Sequence, residues 1–175
     1  NVPGFEETLS LIGDLRKAGK IHHIGVTNFG VHILDRVIAT NVPVVTNQVQ
    51  YSILDRRADN QLSAYAERYG INLLTYGALA GGFLGRKWIS VHDPATDPVS
   101  GNQFSHEYRS IIDLAGGWNT FQNLLHALST IATKHDSSLS AIALRWVLQK
   151  GPGIGVLIGT SSPKQLLDLI PAFKI

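Results

Sequence analysis

INLLTYGALAGG, residues 71–82, is an apolar run that ends in a glycine-containing turn, and the spacing of its glycines decides between two folds. The dinucleotide-binding turn of an open, doubly wound sheet requires the pattern G-x-G-x-x-G between a strand and a helix. Residues 77–82 follow the apolar run but lack that spacing, and GPGIGV, residues 151–156, fails it at Val156. The segment therefore favours the other fold built on parallel strands, a (β/α)8 barrel.

Helix-like and strand-like patterns alternate on both sides of this segment. Continuous apolar runs rich in β-branched residues predict buried strands, and apolar residues three and four apart predict helices. The predicted strands are 21–27, 42–51, 71–80 and 155–159, and the predicted helices are 5–18, 31–38, 62–69, 124–131, 139–147 and a short one from Pro163. A polar loop is predicted over residues 85–107. Strands separated by helices indicate a parallel sheet with helices on its faces.

The chain is too short for a complete barrel. It has 175 residues, whereas a (β/α)8 barrel needs about 250, and only four strands are predicted. We expect residues 1–175 to form a single α/β domain that is about half of a TIM-type barrel.

Composition excludes several classes of function. Lys and Arg number 15 against 13 Asp and Glu, and the resulting net charge of +2 gives no indication of a nucleic-acid or membrane partner. The chain has no cysteine, which excludes thiol chemistry. The sequence also contains neither an HExxH motif nor a cluster of residues at the spacing of metal ligands, so it does not indicate a metal site. The first residues show no secretion signal, and no run approaches the ~18 apolar residues of a membrane helix. We therefore expect a cytoplasmic protein.

Polar residues stand at the ends of the predicted strands, where barrels carry their chemistry. Thr27, Asn28 and Gln48 offer a hydroxyl and two carboxamides, the donors and acceptors that an amide-bearing ligand requires. Tyr76 offers an aromatic face to a ring, and residues 160–162 would start a helix suited to an anion. Together these residues indicate a dinucleotide laid across the strand ends.

Each of these residues also has an ordinary structural interpretation. Asn28 could cap the following helix, Gln48 could be a hydrogen-bonded core amide, and Tyr76 could be a core residue. Residues 160–162 could form an N-cap with no ligand at all. Their conjunction at four strand ends favours the ligand interpretation.

Five segments, in order along the chain, resemble signature motifs of the aldo-keto reductases: GKIHHIGVTNF, NQVQYSILDRR, GINLLTYGALAGGFLG, ALRWVL and LIGTSSPKQL. The resemblance implies a (β/α)8 barrel of which this chain is roughly the C-terminal half, lacking the first four strands. It also implies NADPH, less often NADH, extended across the strand ends, and the reduction of a small aldehyde or ketone.

The resemblance implies a role for each residue that matches a family motif. Thr27 and Asn28 match the pair that holds the nicotinamide carboxamide, Gln48 matches the glutamine that grips the same group, and Tyr76 matches the stacking aromatic. The pyrophosphate end is formed by Gly77, Leu79 and Gly81, with Lys87 near a phosphate-binding position. The adenosine end is formed by Gly159, Thr160, Ser161, Gln165 and Asp168.

Departures from the family pattern concern the phosphate and adenine ends. Gly77-Ala78 stands where Ser-Pro is usual, and Leu169 stands where many members have Asn. No arginine falls clearly at the position often used for the 2′-phosphate, where Gln103 is the match and Arg109 the nearest alternative. The implied cofactor is NADP, with NAD as the alternative.

The family's catalytic Asp, Tyr, Lys and His lie on the first four strands, so we expect no catalytic residue in this chain. His22 and His23 are neighbours on a predicted strand, so at most one could face the barrel interior, and we interpret both as structural. The prediction is the cofactor-binding half of an NAD(P)H-dependent carbonyl reductase, inactive alone. The alternative is a non-catalytic nicotinamide-nucleotide-binding or assembly module. Exposed half-barrel edges predict self-association.

Overall fold

The computed structural model describes residues 4–59, 61–93, 103–151 and 153–175, with only the backbone described for 103–106. It contains one four-stranded sheet of strands β1 Ile24–Thr27, β2 Val44–Gln50, β3 Asn72–Tyr76 and β4 Ile154–Val156. The helices are α1 Phe5–Lys17, α2 Val31–Ala39, α3 Gln61–Arg68, α4 Gln103–Leu114, α5 Gly117–Lys134, α6 Leu139–Leu148 and α7 Pro163–Leu167. Short 3₁₀ turns occur at Ala80–Gly82, Arg86–Trp88 and Ile170–Phe173.

The four strands pair in chain order and all pairs are parallel, as half of a (β/α)8 barrel requires. Thr27 lies in register with Gln48, and Gln48 with Leu74. Gln50 lies in register with Tyr76. Because residues in register point to the same side of a sheet, and residues two apart along a strand do too, Thr27, Gln48 and Tyr76 share one face. The predicted fold class is confirmed.

The two faces of the sheet differ in burial. Asn47, Val49, Leu73 and Thr75 are buried, and Val49 and Leu73 pack in one core with Leu34 of α2 and other residues of the covering helices. The opposite face carries Thr27, Gln48, Leu74 and Tyr76, which are half-buried or exposed. That second face corresponds to the interior of a closed barrel.

A second core lies between the helices that follow β3. Phe83, Ile112 of α4, and Trp118, Phe121 and Leu125 of α5 are buried there. The ring centroids of Phe83 and Trp118 are 6.3 Å apart in an edge-on arrangement. This aromatic core fixes α4 and α5 beside the glycine turn that follows β3.

The predicted loop over 85–107 is wrong in part. Residues 86–88 form a 3₁₀ turn, and α4 begins at Gln103, so the described residues between β3 and β4 contain three α-helices instead of the two predicted. Tyr108 and Ile112 are four residues apart and face the second core. This spacing is typical of a helix, but the polar residues before it favoured the prediction of a loop. The short strands also differ: β1 begins at Ile24, three residues later than predicted, and β4 covers Ile154–Val156.

Apolar side chains are exposed beside both outer strands. Leu11 and Leu15 of α1 are 68% and 49% exposed, and α1 contacts the edge strand β1. Near the other edge strand, the exposed apolar residues are Leu157, Leu166, Leu167, Ile170 and Phe173. No helix in the described ranges has the length and apolar character needed to cross a membrane.

Candidate functional site

The polar residues predicted at the ends of β1, β2 and β3 lie next to one another. The backbone N–H of Asn28 donates to the carbonyl of Gln48 at 2.8 Å. The phenol of Tyr76 donates to the side-chain oxygen of Asn28 at 3.1 Å. With Thr27 in register beside Gln48, the structure brings all four residues to one corner of the open sheet face.

Asn28 does not cap α2, so that structural interpretation was wrong. The N-cap of α2 is Gly30, which makes no side-chain capping hydrogen bond. Asn28 has a φ of 58°, a left-handed conformation that few residues other than glycine adopt and that asparagine tolerates. This backbone turn leaves the exposed carboxamide of Asn28 against Tyr76 at the strand ends.

Gln48 was interpreted as a possible core amide, but the residue with that role in the structure is its neighbour Asn47. Asn47 is fully buried; its Nδ2 donates to the carbonyl of Phe29 at 2.8 Å, and its Oδ1 accepts from the Phe29 N–H at 3.3 Å. These bonds fix the loop that carries Asn28. Strand alternation could have found this role, because Asn47 lies on the same face as the buried Val49.

Consecutive residues at the end of β3, Tyr76 and Gly77, border two different cavities. The first has a volume of about 870 Å³ and is bordered by Asn28, Gln50, Arg57, Tyr76 and Glu107 among others. The second has a volume of about 1200 Å³ and begins at Gly77. The predicted residues of the pyrophosphate and adenosine ends all line this second cavity: Gly77, Leu79, Gly81, Lys87, Gly159, Thr160, Ser161, Gln165 and Asp168.

The charges on the two cavities differ in sign. The charged residues on the second cavity are Arg86, Lys87, Lys164 and Asp168, so cations predominate. The first cavity carries two carboxylates, Asp35 and Glu107, against one guanidinium, Arg57, with His32 beside them. Arg57 is held by the buried carboxylate of Asp55 at 2.6 Å, a hydrogen bond that raises the pKa of the guanidinium. An anionic part of a ligand is therefore favoured in the second cavity.

The glycine turn after Tyr76 packs tightly under a residue that the sequence analysis did not select. Gly77 and Gly81 have φ values of 69° and 61°, which glycine adopts freely. A Cβ at Gly81 would lie 2.5 Å from Cδ2 of Tyr108, and one at Gly77 would lie 2.9 Å from its hydroxyl. Burial raises the pKa of Tyr108. Its position on α4 follows from the helical period of residues 108 and 112.

The segment at the far end of the second cavity is organised by its own side chains. Ser162 caps α7 by accepting from the N–H of Gln165 at 3.4 Å, so the N-cap interpretation applies to that residue. The N–H and hydroxyl of Ser161 both donate to Oε1 of Gln165, at 2.8 and 3.1 Å. Leu169 is buried and packs in a core with Ala141, which explains an apolar side chain at this position.

One candidate for a 2′-phosphate contact, Arg109, is committed to carboxylates. Arg109 donates to Asp93 at 2.8 Å and to Asp113 at 2.9 Å, and its side chain is only 20% exposed. The side chain of Gln103 lies outside the described residues. His22 and His23 precede β1 and are exposed.

Comparison with known proteins identifies the family to which this chain is similar. The model of the aldo/keto reductase family matches residues 1–175. The flagellar radial spoke protein 5 of Chlamydomonas reinhardtii is 34% identical over 135 residues, 75% of this chain and 25% of that protein. The NADH-specific methylglyoxal reductase of Escherichia coli (strain K12) is 25% identical over 181 residues, 100% of this chain and 52% of that protein.

A solved structure shows the same fold. The glycerol dehydrogenase of Gluconobacter oxydans superposes with a TM-score of 0.74 at 26% identity, over 94% of this chain and 49% of that one. This chain thus spans about half the length of the glycerol dehydrogenase and of the methylglyoxal reductase, and about a quarter of the radial spoke protein.

Proposed function

This chain belongs to the aldo/keto reductase family, and from that premise we propose that it is the cofactor-binding half of an NAD(P)H-dependent aldehyde or ketone reductase. The observation that carries the proposal is that consecutive residues at the end of β3 border both cavities. Asn28 and Tyr76 border the first cavity, and the next residue, Gly77, opens the cation-rich cavity that runs to Asp168. A dinucleotide needs such a path, with a polar aromatic corner for one ring and a basic groove for its phosphates.

In the proposed complex the nicotinamide head group lies at the corner formed by Thr27, Asn28 and Gln48. A carboxamide both donates and accepts, and the hydroxyl and side-chain amides at this corner offer both kinds of partner. The ring of Tyr76 would cover one face of the nicotinamide, and the reduced cofactor would supply the hydride that adds to the carbonyl carbon of the substrate. Holding that ring in one orientation is how this half of the protein lowers the barrier to transfer.

The pyrophosphate would lie in the second cavity along Gly77, Leu79 and Gly81, beside Tyr108, with Lys87 as its charged partner. The adenosine end rests against Gly159, Thr160, Ser161, Gln165 and Asp168. The exposed cations Arg86 and Lys87 support a cofactor with the additional phosphate, NADP. NAD is the alternative, since the Escherichia coli relative is named for NADH and Arg109 is committed to carboxylates.

The proposed substrate is a small carbonyl compound that approaches from the first cavity, next to Asn28 and Tyr76. We propose that residues 1–175 form a partial barrel domain without a proton donor of its own. The family's catalytic residues match no position here, so the alkoxide that forms would take its proton from a residue outside this chain. The isolated chain should therefore bind the cofactor and turn over almost no substrate.

A second candidate function is non-catalytic binding or assembly. It is favoured by one observation, the 34% identity to a protein named for the flagellar radial spoke. In that case the nucleotide site would serve regulation or stability, and the exposed apolar edges would be contacts with other copies or subunits.

Calorimetric titration of the chain with NADPH and NADH tests the shared part of both candidates, and heat that saturates is the expected result. A carbonyl-reduction assay on the product of the full reading frame that contains this chain separates them. Turnover supports the reductase, and nucleotide binding without turnover supports the non-catalytic module. No binding of either nucleotide would contradict both.

A further inference from the structure

Residues 85–93, which we term the wall segment, border the second cavity through Gly85, Arg86, Lys87 and Ile89. Apart from the 3₁₀ turn at Arg86–Trp88, the wall segment has no regular secondary structure. Backbone groups without regular partners must find others. Here side chains from the neighbouring helices provide them.

Gln122 of α5 makes the central contact. Its Oε1 accepts from the backbone N–H of Ser90 at 2.8 Å, and its Nε2 donates to the carbonyl of Trp88 at 2.9 Å. The amide thus pairs with the wall segment at two points, as the backbone of an adjacent strand would. Gln122 is half-buried and is not part of the cavity lining.

Aromatic side chains hold the segment on both sides of that contact. The indole N–H of Trp118 donates to the carbonyl of Val91 at 2.9 Å. The indole N–H of Trp88 donates to the carbonyl of Gly82 at 3.1 Å, and its ring stacks on Phe83 with centroids 4.7 Å apart. The wall segment is therefore joined to α5 and to the glycine turn after β3.

Strain in the segment indicates that these contacts determine its shape. Ser90 has a φ of 59°, a conformation that non-glycine residues adopt at a cost and keep only where the surroundings impose it. The N–H of this same residue is the one held by Gln122. Removing the amide would take away the hydrogen bond that holds the N–H of the strained residue.

We propose that Gln122 is a positioning residue for the cofactor site, acting through Lys87, and that Trp118 assists it. Its two hydrogen bonds fix the wall segment in advance, so that Lys87 meets an anionic phosphate without first losing the freedom of a loose loop. This inference rests on the proposed function, in that the anion is taken to be a phosphate of the nicotinamide nucleotide. The inference adds Gln122 and Trp118 of α5, which do not line the second cavity, to the residues that influence cofactor binding.

The test compares the 175-residue chain with Gln122→Met, which keeps the side-chain length and loses both hydrogen bonds. Asn123→Ala, at an exposed neighbouring position of α5, is the matched control. Hydrogen exchange should show the Ser90 amide exchanging at least about tenfold faster in Gln122→Met and unchanged in the control, because a local contact holds it. The NADPH dissociation constant should rise about two- to tenfold in Gln122→Met alone, the range expected for one lost hydrogen-bonded contact.

A double-mutant cycle with Lys87→Met identifies the route of the effect. If Gln122 acts through Lys87, adding Gln122→Met to Lys87→Met should change the NADPH dissociation constant by less than about twofold. A general loss of structure would instead give additive effects and a lower unfolding midpoint.

The outcomes distinguish the inference from the proposed function. Normal NADPH binding by Gln122→Met, unaltered Ser90 exchange, or additive effects with Lys87→Met would each overturn the inference while leaving the proposed function standing. Absence of NADPH binding by the unaltered chain would overturn the proposed function, and the role of Gln122 in nucleotide binding with it. Faster Ser90 exchange in that case would show a contact that is structural only.

Discussion

The phenol of Tyr76 donates a hydrogen bond to the side-chain oxygen of Asn28 at 3.1 Å, joining the ends of β3 and β1 on either side of β2. This contact brings the aromatic ring of Tyr76 and the carboxamide of Asn28 to one corner of the open sheet face. The proposed nicotinamide position depends on that corner.

Replacing Asn28 by alanine should weaken NADPH binding. The change removes the carboxamide proposed to meet the nicotinamide, and a lost hydrogen bond of about 0.5–1.5 kcal/mol corresponds to roughly two- to tenfold in the dissociation constant. Fluorescence titration measures the effect. Asn41→Ala is the matched control, since Asn41 is also exposed and left-handed, with a φ of 57°, but precedes β2. Equal weakening by both variants would contradict the assignment of Asn28.

Replacing Gly81 by alanine should destabilise the chain through a clash with Tyr108. The new Cβ would lie 2.5 Å from the Tyr108 ring, and overpacking of this kind costs about 1–3 kcal/mol. Gly82→Ala is the control, because Gly82 also has a positive φ, 92°, and a Cβ there would meet no atom within 4 Å beyond its chain neighbours. The urea midpoint should fall further for Gly81→Ala than for Gly82→Ala. Equal midpoints would show that Tyr108 does not restrict the turn.

Asp59 should give the fold a distinct sensitivity to acid. Burial alone would raise the pKa of Asp59, but hydrogen bonds from Tyr51 and Arg56 and the charge of Lys150 outweigh burial and lower it. A carboxyl whose pKa is lower in the folded state stabilises the fold above its unfolded pKa of about 3.9, and that stability is lost as the pH falls through the folded value. The free energy of unfolding should therefore decline as the pH falls below about 4.

Asp59→Asn should be less stable than the unaltered chain at pH 7 by about 1.5–3 kcal/mol, the contribution of hydrogen bonds to a charged group. That difference should shrink toward pH 2, as measured by urea unfolding across the pH range. Asp14→Asn, which removes an exposed ion pair with Lys17, serves as the control. A deficit of Asp59→Asn that is independent of pH would contradict the pKa assignment.

The chain should self-associate through its open edges and exposed apolar helices. Leu167 and Phe173 are 62% and 67% exposed near β4, and exposed strand edges and apolar patches favour association. Sedimentation velocity should show species larger than a monomer that increase with concentration. Leu167→Glu with Phe173→Glu should shift the distribution toward the monomer. A monomer at all concentrations would contradict this expectation.

The positions of the strand-end residues could be predicted from the sequence, because these positions depend on rules that act locally. Alternation along β2 and the parallel order of the strands suffice to place Gln48 beside Thr27, as found. The turn after Tyr76 was also recognisable from the sequence, since its glycines indicate a backbone that packs closely against another group. What comes close in the structure is Tyr108, a contact between distant segments that no local pattern contains.

The missed features share that dependence on tertiary contacts. Helix α4 begins with polar residues, and only a short stretch that includes Tyr108 and Ile112 shows the apolar spacing of a helix. The wall segment takes its shape from Gln122 and Trp118, more than 25 residues further along the chain. Its conformation is set by packing and by side-chain hydrogen bonds to backbone, which composition does not reveal.

The most direct test of the proposed nicotinamide site is a magnetisation-transfer measurement between the bound cofactor and Tyr76. With NADPH added to the chain, we expect nuclear Overhauser effects between the nicotinamide ring protons and the ring protons of Tyr76, absent when Tyr76 is replaced by leucine. Bound NADPH whose nicotinamide protons show effects only to residues away from Asn28 and Tyr76 would contradict the placement.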